Sequence, residues 1–411
     1  MGDVVSRIVI PSPLYADAAR RMPPRPPSLQ DPGYLEEYDD RTVFYDAFRV
    51  GRHRVLAVGP PAENFAAGIR DSGLVSAEGA REAAAFTVEG GLDRLGRFWA
   101  RHPARATAPL TVRSPLSEGG AVVGEDLASL FAGTHAVMTL SKDNRLEWVT
   151  FWADWYVRRH GADAVLVYDN GSTAYSSSDL LACLSQVAGI RVAVVVEWAF
   201  PYGPLGDPWD SNYCQHGALE HARWRFLRRA AGFLNADIDE LVADLDSQSV
   251  FTSAVRSATG VVALPSIDVL PAPGSRVDPP RFADQYHIGL PPGWVERAKW
   301  CVVPARLPPF AQATTHEVIG VASRSMAPHR IWHCRSISTY APRVHATMQP
   351  SEIEVDLKAR IDRVVPPVAE RPLRSRPIRD VGVRLMAMGR PAFERLRERV
   401  VRGVRRRDPA G

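Results

Sequence analysis

Two aspartates stand directly after a short apolar run near the middle of the chain. Residues 233–236, Phe-Leu-Asn-Ala, lead into Asp237, Ile238, Asp239 and Glu240. Side chains two positions apart on an extended strand point to the same side, so both carboxylates would face one ligand. Mg²⁺ and Mn²⁺ prefer oxygen ligands and usually share them with substrate phosphates. We therefore expect Asp237 and Asp239 to hold Mn²⁺ or Mg²⁺ at a strand end; the alternative is a solvated acidic loop.

Two more polar clusters follow apolar runs upstream of this acidic pair. Residues 136–140 and 164–168 indicate buried strands, and residues 145–160 between them have apolar side chains at helical spacing. A strand–helix–strand unit predicts parallel strands, and parallel sheets bind ligands beyond the carboxyl ends of their strands. Polar residues that follow the two strands would reach the same edge as the acidic pair: Lys142, Asp169 and Asn170.

The pattern of strands and helices continues downstream. Residues 191–196 predict another buried strand and residues 212–229 a helix, and two further strands follow over 261–264 and 300–303. These elements predict an α/β fold over residues 134–345, with a mostly parallel, Rossmann-like sheet flanked by helices.

Three motifs in this order resemble those of glycosyltransferase family 92 and related bacterial GT-A transferases. They are Lys142 with Glu147-Trp148, the strand end over 168–172, and the acidic segment over 237–240. The resemblance covers residues 134–345 and implies a GT-A fold, a nucleotide-sugar donor, a glycan or lipid-linked acceptor and a divalent metal.

The resemblance also implies roles for single residues. Donor contacts would come from five side chains: Lys142, Asp169, Asn170, Gln215 and Asp237. A late histidine often gives a third metal or diphosphate contact in such enzymes, and His316 is the candidate beside Asp237 and Asp239. Transfer with inversion requires a carboxylate that deprotonates the acceptor, for which Asp268 and Glu317 are the candidates.

Three other functions compete with this interpretation. A nucleotidyltransferase could use the same acidic pair, although the Gly-rich, basic loop usual after its first strand is absent from the sequence. An inactive, transferase-like binding module is a second alternative, because Ala174 and Leu241 depart from the family's donor motifs. A nucleic-acid binder is suggested by the basic tail, but the tail lacks the interleaved aromatic residues of such proteins.

Composition indicates a globular protein with distinct ends. The 411 residues are 45% apolar and 23% charged, which is ordinary for a soluble protein. No apolar run approaches the ~20 residues that cross a membrane, and the start has no secretory pattern, so we expect a cytoplasmic protein with reduced cysteines. The chain divides into a Pro/Arg-rich segment expected to be extended or disordered (1–40), a small β-rich unit (41–130), the α/β core (134–345), and a linker with a basic tail (346–411).

The basic residues are distributed unevenly in two respects. Residues 371–407 hold 13 arginines against three acidic residues, and apolar residues recur there at near-helical spacing. This pattern predicts a basic amphipathic helix that lies peripherally on an anionic membrane surface; the alternatives are a helix that docks on the catalytic domain and a disordered basic tail. Only three of the 50 basic residues are lysines, and Lys142 and Lys299 both lie beside predicted strands of the core.

Overall fold

A large mixed sheet with helices on both faces forms the centre of the protein. The computed structural model describes residues 4–76, 85–102, 109–204, 210–243, 248–271, 278–289, 298–325, 329–337 and 350–353. All of them belong to one unit that spans residues 1–368. The amphipathic tail predicted over 371–407 lies outside the described residues. Within the described residues, no helix has the length and apolar character needed to span a membrane.

The described chain contains many short strands and fewer helices. In chain order the strands are β1 Val5–Val9, β2 Leu14–Tyr15, β3 Thr42–Phe44, β4 Asp46–Val50, β5 Arg54–Gly59, β6 Gly73–Ser76, β7 Thr87–Val88, β8 Gly96–Arg101, β9 Leu110–Ser114, β10 Ser117–Val122, β11 His135–Ser141, β12 Ala164–Asp169, β13 Val192–Glu197, β14 Gly232–Asn235, β15 Glu240–Val242, β16 Val261–Pro271, β17 Gln285–Gly289, β18 Ala298–Val302, β19 Gln312–Ala313, β20 Val318–Ile319, β21 Arg324–Ser325, β22 Ile331–Cys334 and β23 Pro350–Ile353. The α-helices are α1 Tyr34–Glu37, α2 Ala66–Asp71, α3 Leu146–His160, α4 Ser177–Ser185, α5 Tyr213–His221 and α6 Val250–Arg256.

The central sheet is parallel in its middle and antiparallel on one side. Strands β1, β13, β12, β11 and β14 are parallel neighbours in that order. Beyond β14, strands β18, β16, β17 and β23 continue the sheet antiparallel, and β22 pairs with both β16 and β15. This architecture confirms the predicted α/β class and is compatible with a Rossmann-like fold.

Apolar side chains on both faces explain why the parallel strands are buried. On β12, Val165 and Val167 pack in the apolar cluster that includes α3 and α4, whereas Leu166 and Tyr168 pack in the cluster that includes α5. Helix α3 ends at Gly161, whose left-handed φ of 68° lets the chain reverse into β12. The carboxyl ends of β11, β12, β13 and β14 consequently meet at one edge.

The residues before the core form small sheets that contact α5 through a buried ion pair and a buried hydrogen bond. Strands β4, β5, β8 and β7 make one sheet, and β10, β9 and β6 make another. Arg97 on β8 lies 3.2 Å from Glu220 of α5, and Asp46 on β4 lies 2.9 Å from His221. These contacts fix α5 against the sheet. Val5–Val9, within the segment expected to be extended or disordered, instead pairs with β13 as an edge strand, because its apolar residues precede the Pro-rich stretch.

Candidate functional site

The acidic pair lies in the short loop between β14 and β15, at the carboxyl ends of the parallel strands. Strand β14 ends at Asn235 and β15 begins at Glu240. Asp237 and Asp239 both line a cavity of about 710 Å³, whose walls also include the loops after β11, β12, β13 and β22. The structure thus brings the acidic pair to the sheet edge at which the sequence indicated a ligand site.

A buried lysine lies beside the first aspartate. Lys299 on β18 is only 2% exposed, and its Nζ lies 2.7 Å from Oδ2 of Asp237 and 3.5 Å from Oε2 of Glu240. Burial disfavours the ammonium, but the two carboxylates outweigh it and raise the pKa of Lys299. Burial likewise works against ionised Asp237, yet Lys299 lowers the pKa of that carboxyl overall. Burial raises the pKa of Glu240 to about 7, so Asp237 is the carboxylate that Lys299 keeps ionised.

A chain of charged side chains joins the second aspartate to an arginine in the cavity wall. Asp239 Oδ2 lies 3.1 Å from Nε2 of His333, whose Nδ1 lies 3.4 Å from Oδ1 of Asp268. Arg335 donates from Nε and Nη2 to the two oxygens of Asp268, at 2.8 and 2.9 Å. Burial opposes protonation of His333, but Asp239 outweighs it and raises the pKa of the imidazole. His333 and Arg335 lie two residues apart at the end of β22.

The loop after β11 adds a second positive charge to the cavity wall. Lys142 is exposed and lines the cavity together with Asp143. Asp143 has a left-handed φ of 52°, and its Oδ1 accepts from the backbone N–H of Thr173 at 2.6 Å and of Ala174 at 2.9 Å. These two bonds lower the pKa of Asp143, with the bond from Ala174 as the larger cause. They also join the loops after β11 and β12, which holds Lys142 at the strand edge.

The two predicted donor contacts at the end of β12 differ in placement. Asn170 lines the cavity, and its Nδ2 donates to the carbonyls of Trp198 and Phe200 at 2.7 and 2.9 Å. Asp169 is buried, and its Oδ1 accepts from the backbone N–H of Ser172 at 3.0 Å. Asn170 therefore shapes the wall between two loops, whereas Asp169 stabilises the turn behind it.

Gln215 lies at the aromatic end of the cavity. It is 7% exposed on α5 and lines the cavity with Phe200 and Tyr202. Its Oε1 accepts from the hydroxyl of Tyr202 at 3.0 Å and of Thr315 at 3.2 Å. These bonds hold Oε1, which leaves Nε2 as the donor that the amide can offer to a ligand.

The three remaining predicted residues lie outside the cavity wall. His316 is exposed, and its Nδ1 lies 3.1 Å from the carbonyl of Ala298. Glu317 is exposed, and Asp268 is 1% exposed with both oxygens bound by Arg335. The metal role of His316 and the base roles of Asp268 and Glu317 stay predictions.

The carboxylate oxygens of the acidic pair suit a metal ion that keeps several ligands from outside the protein. In the described part of the chain, no three His, Cys, Asp or Glu side chains are grouped to bind a metal. Asp237 and Asp239 each use Oδ2 in the pairs above, and no described residue hydrogen-bonds to their Oδ1 atoms. Two such oxygens at a cavity fit Mg²⁺ or Mn²⁺, which take their other ligands from water and substrate phosphate.

The sequence alone did not identify His333 and Arg335 as site residues. They lie two positions apart at the end of a strand, and this spacing places both side chains on one face of the sheet. It becomes informative only with the pairing of β22 with β15 and β16, because that pairing puts them next to Asp239 and Asp268. Lys299 was indicated more directly, since lysine is so rare in this chain.

Comparison with known proteins adds little to this geometry. No family model matches the sequence, and no curated protein matches it. Among solved structures, the apo structure of the bifunctional glycosyltransferase WbbM matches 38% of this chain with a TM-score of 0.25 and 14% identity. The match covers 26% of the WbbM chain. We draw no conclusion about fold or function from a likeness at that level.

Proposed function

We propose that the protein is a metal-dependent glycosyltransferase of the GT-A type. It would move a sugar from a nucleotide-sugar donor to a glycan or lipid-linked acceptor. The observation that supports this most is the pair of carboxylates, Asp237 and Asp239, in a cavity at the carboxyl ends of parallel strands. Open α/β sheets bind ligands at that edge, and the cavity volume lies within the range of about 300–1,000 Å³ usual for small-molecule sites. The three motifs that resemble family 92 meet at the same edge.

The chemistry required of this edge is charge stabilisation. Departure of the sugar leaves a nucleoside diphosphate with new negative charge, which Mn²⁺ or Mg²⁺ on Asp237 and Asp239 would neutralise when bound. Lys299 keeps Asp237 ionised for that purpose. Lys142 adds an ammonium on the wall, and Gln215 offers an amide to the donor.

Inversion, which the resemblance implies, needs a carboxylate that takes the proton of the acceptor hydroxyl. Of the two candidates, Glu317 is exposed, whereas both oxygens of Asp268 already accept from Arg335. We propose Glu317 as the base and His316 as an additional metal or diphosphate contact; both lie between β19 and β20, outside the cavity wall, so these roles require that the bound donor and acceptor extend beyond it. The basic tail over 371–407 would hold the enzyme against an anionic membrane near lipid-linked acceptors.

The test is a panel of nucleotide sugars incubated with the full-length protein and Mn²⁺. In the absence of acceptor, transferases of this kind hydrolyse their donor slowly, so release of nucleoside diphosphate from one donor is expected, and EDTA should abolish it. Release of diphosphate that is unaffected by EDTA would refute the metal role. Binding of a donor without turnover, with or without acceptors, would favour the inactive binding module. Formation of a nucleotide sugar from a nucleoside triphosphate and a sugar phosphate would favour the nucleotidyltransferase.

A further inference from the structure

Arg335 reaches the cavity from a different part of the sheet than Lys142. Lys142 follows β11, whose neighbour β14 leads into the acidic pair. Arg335 follows β22, which pairs with β15, the strand that leaves the acidic pair. The acidic pair therefore lies between the two cationic side chains in strand order, and both of them line the same cavity.

The guanidinium of Arg335 is held on one edge and open on another. Nε and Nη2 donate to the two oxygens of Asp268, which is 1% exposed. No described residue accepts from Nη1, and the side chain is 28% exposed. His333 touches Asp268 from behind and links it to Asp239. A planar guanidinium fixed in this way presents its remaining N–H groups in one direction.

The two aspartates already have cationic partners, because Lys299 pairs with Asp237 and His333 pairs with Asp239. Neither partner is among the described residues that line the cavity, so a diphosphate would be contacted directly by the cations of the cavity wall. Lys142 and Arg335 are the cationic side chains in the described part of the cavity wall. A diphosphate bound to the metal would lie between them. Asp268 offsets part of the charge of Arg335, so its contribution is chiefly that of an oriented hydrogen-bond donor.

We propose that Arg335 binds a non-bridging oxygen of the donor's diphosphate, and that Asp268 is the positioning residue that aims it. The identity of the diphosphate rests on the proposed function above. Asp268 then acts on the substrate through Arg335, because its own oxygens are already occupied on that side chain.

The probe is inorganic pyrophosphate, which carries the diphosphate without requiring knowledge of the base or sugar. Isothermal titration in the presence of Mg²⁺ should show that Arg335→Gln binds pyrophosphate at least about tenfold more weakly than the wild type, as expected for loss of a charged hydrogen bond. Arg335→Lys restores the charge but not the fork, and should recover only part of the affinity. Arg281→Gln is the matched control, because Arg281 makes the same two-pronged pair with Asp284 on the surface, away from the cavity.

Pyrophosphate affinity unchanged in Arg335→Gln, or absent from the wild type, would overturn the inference. If Arg335→Gln fails to fold because Asp268 is left unpaired, the double variant Asp268→Asn/Arg335→Gln takes its place with the same expected loss. The two proposals fail separately: a protein that loses pyrophosphate affinity in the variant but hydrolyses no nucleotide sugar keeps the Arg335 site and loses the transferase activity.

Discussion

Replacement of Lys299 by methionine would remove the positive charge that lies between two carboxylates beneath the acidic pair. Loss of one partner from a buried ion pair costs about 3–5 kcal/mol of stability. Asp237 is 34% exposed at the cavity, so water would hydrate its carboxylate in part once Lys299 is removed. The expected loss of unfolding free energy is therefore smaller, about 2–4 kcal/mol at pH 8. Glu240, which is buried, bears most of it.

The cost should depend on pH in a defined direction. The pKa of Glu240 is raised in the folded protein to about 7, so its contribution to stability is present below its unfolded pKa and lost as the pH rises through the folded one. Lys299 limits that rise, so its removal lifts the pKa of Glu240 further. Near pH 5 Glu240 is protonated with or without Lys299, so only Asp237 loses a charged partner in Lys299→Met. The loss of stability at that pH should therefore be only about 1–2 kcal/mol.

Urea unfolding at pH 5 and pH 8 measures both quantities. The double variant Lys299→Met/Glu240→Gln should recover most of the loss at pH 8, because the amide needs no counter-charge. Lys142→Met, at an exposed lysine, should change the free energy of unfolding by less than about 0.5 kcal/mol. A cost below about 1 kcal/mol at pH 8, or one that is equal at both pH values, would refute the reasoning.

The other predictions concern donor affinity, acid stability and membrane binding. Lys142→Ala should weaken binding of the cognate nucleoside diphosphate, measured by titration calorimetry, with little change in thermal stability; unchanged affinity would make Lys142 an ordinary surface charge. Burial lowers the pKa of His160 to about 3 and of His221 to about 4, so between pH 6.5 and 4 the unfolded chain binds more protons, and the free energy of unfolding should fall by about 1.4 kcal/mol per pH unit for each histidine. A flat stability profile over that range, measured by urea titration, would contradict this. Deletion of residues 371–411 should abolish salt-sensitive co-sedimentation with anionic liposomes; if the full-length protein ignores such liposomes at low salt, the tail has another role.

The α/β core was predictable from sequence because its elements have strong local signals. The strand predicted over 164–168 and the helix predicted over 145–160 appear as Ala164–Asp169 and Leu146–His160. Apolar residues at helical spacing that end at Gly161, and a short apolar run that ends in a polar cluster, are typical of a helix followed by a buried strand. The helix predicted over 212–229 is instead an α-helix that ends at His221, followed by a π-helical turn over Ala222–Phe226. In that turn Arg225 pairs with Asp46 of β4, and Arg223 donates to the carbonyls of Pro308 and Ala311.

The cavity wall was only partly predictable, because long-range pairing decides it. Lys142, Asn170 and the acidic pair each come shortly after an apolar strand, which is a local signal in the sequence, and all of them line the cavity. Arg335 reaches the same cavity only through the pairing of β22 with β15 and β16. A short strand that joins a sheet from a distant part of the chain has no sequence pattern that identifies the strands with which it pairs. For the same reason, the contact of His333 with Asp239 could not be predicted from the sequence.

The measurement that tests the central claim most directly compares two aspartate-to-asparagine variants in Mn²⁺-dependent turnover of the donor found in the nucleotide-sugar panel. Asp239→Asn keeps the shape of the side chain but loses the charge that would hold the cation. Asp154→Asn alters a surface carboxylate on α3 that pairs with Arg158. We expect Asp239→Asn to lower kcat/KM at limiting Mn²⁺ by at least about 100-fold while it remains folded, and Asp154→Asn to match the wild type. Wild-type turnover by a folded Asp239→Asn would contradict the assignment of this edge as a metal-dependent transferase site.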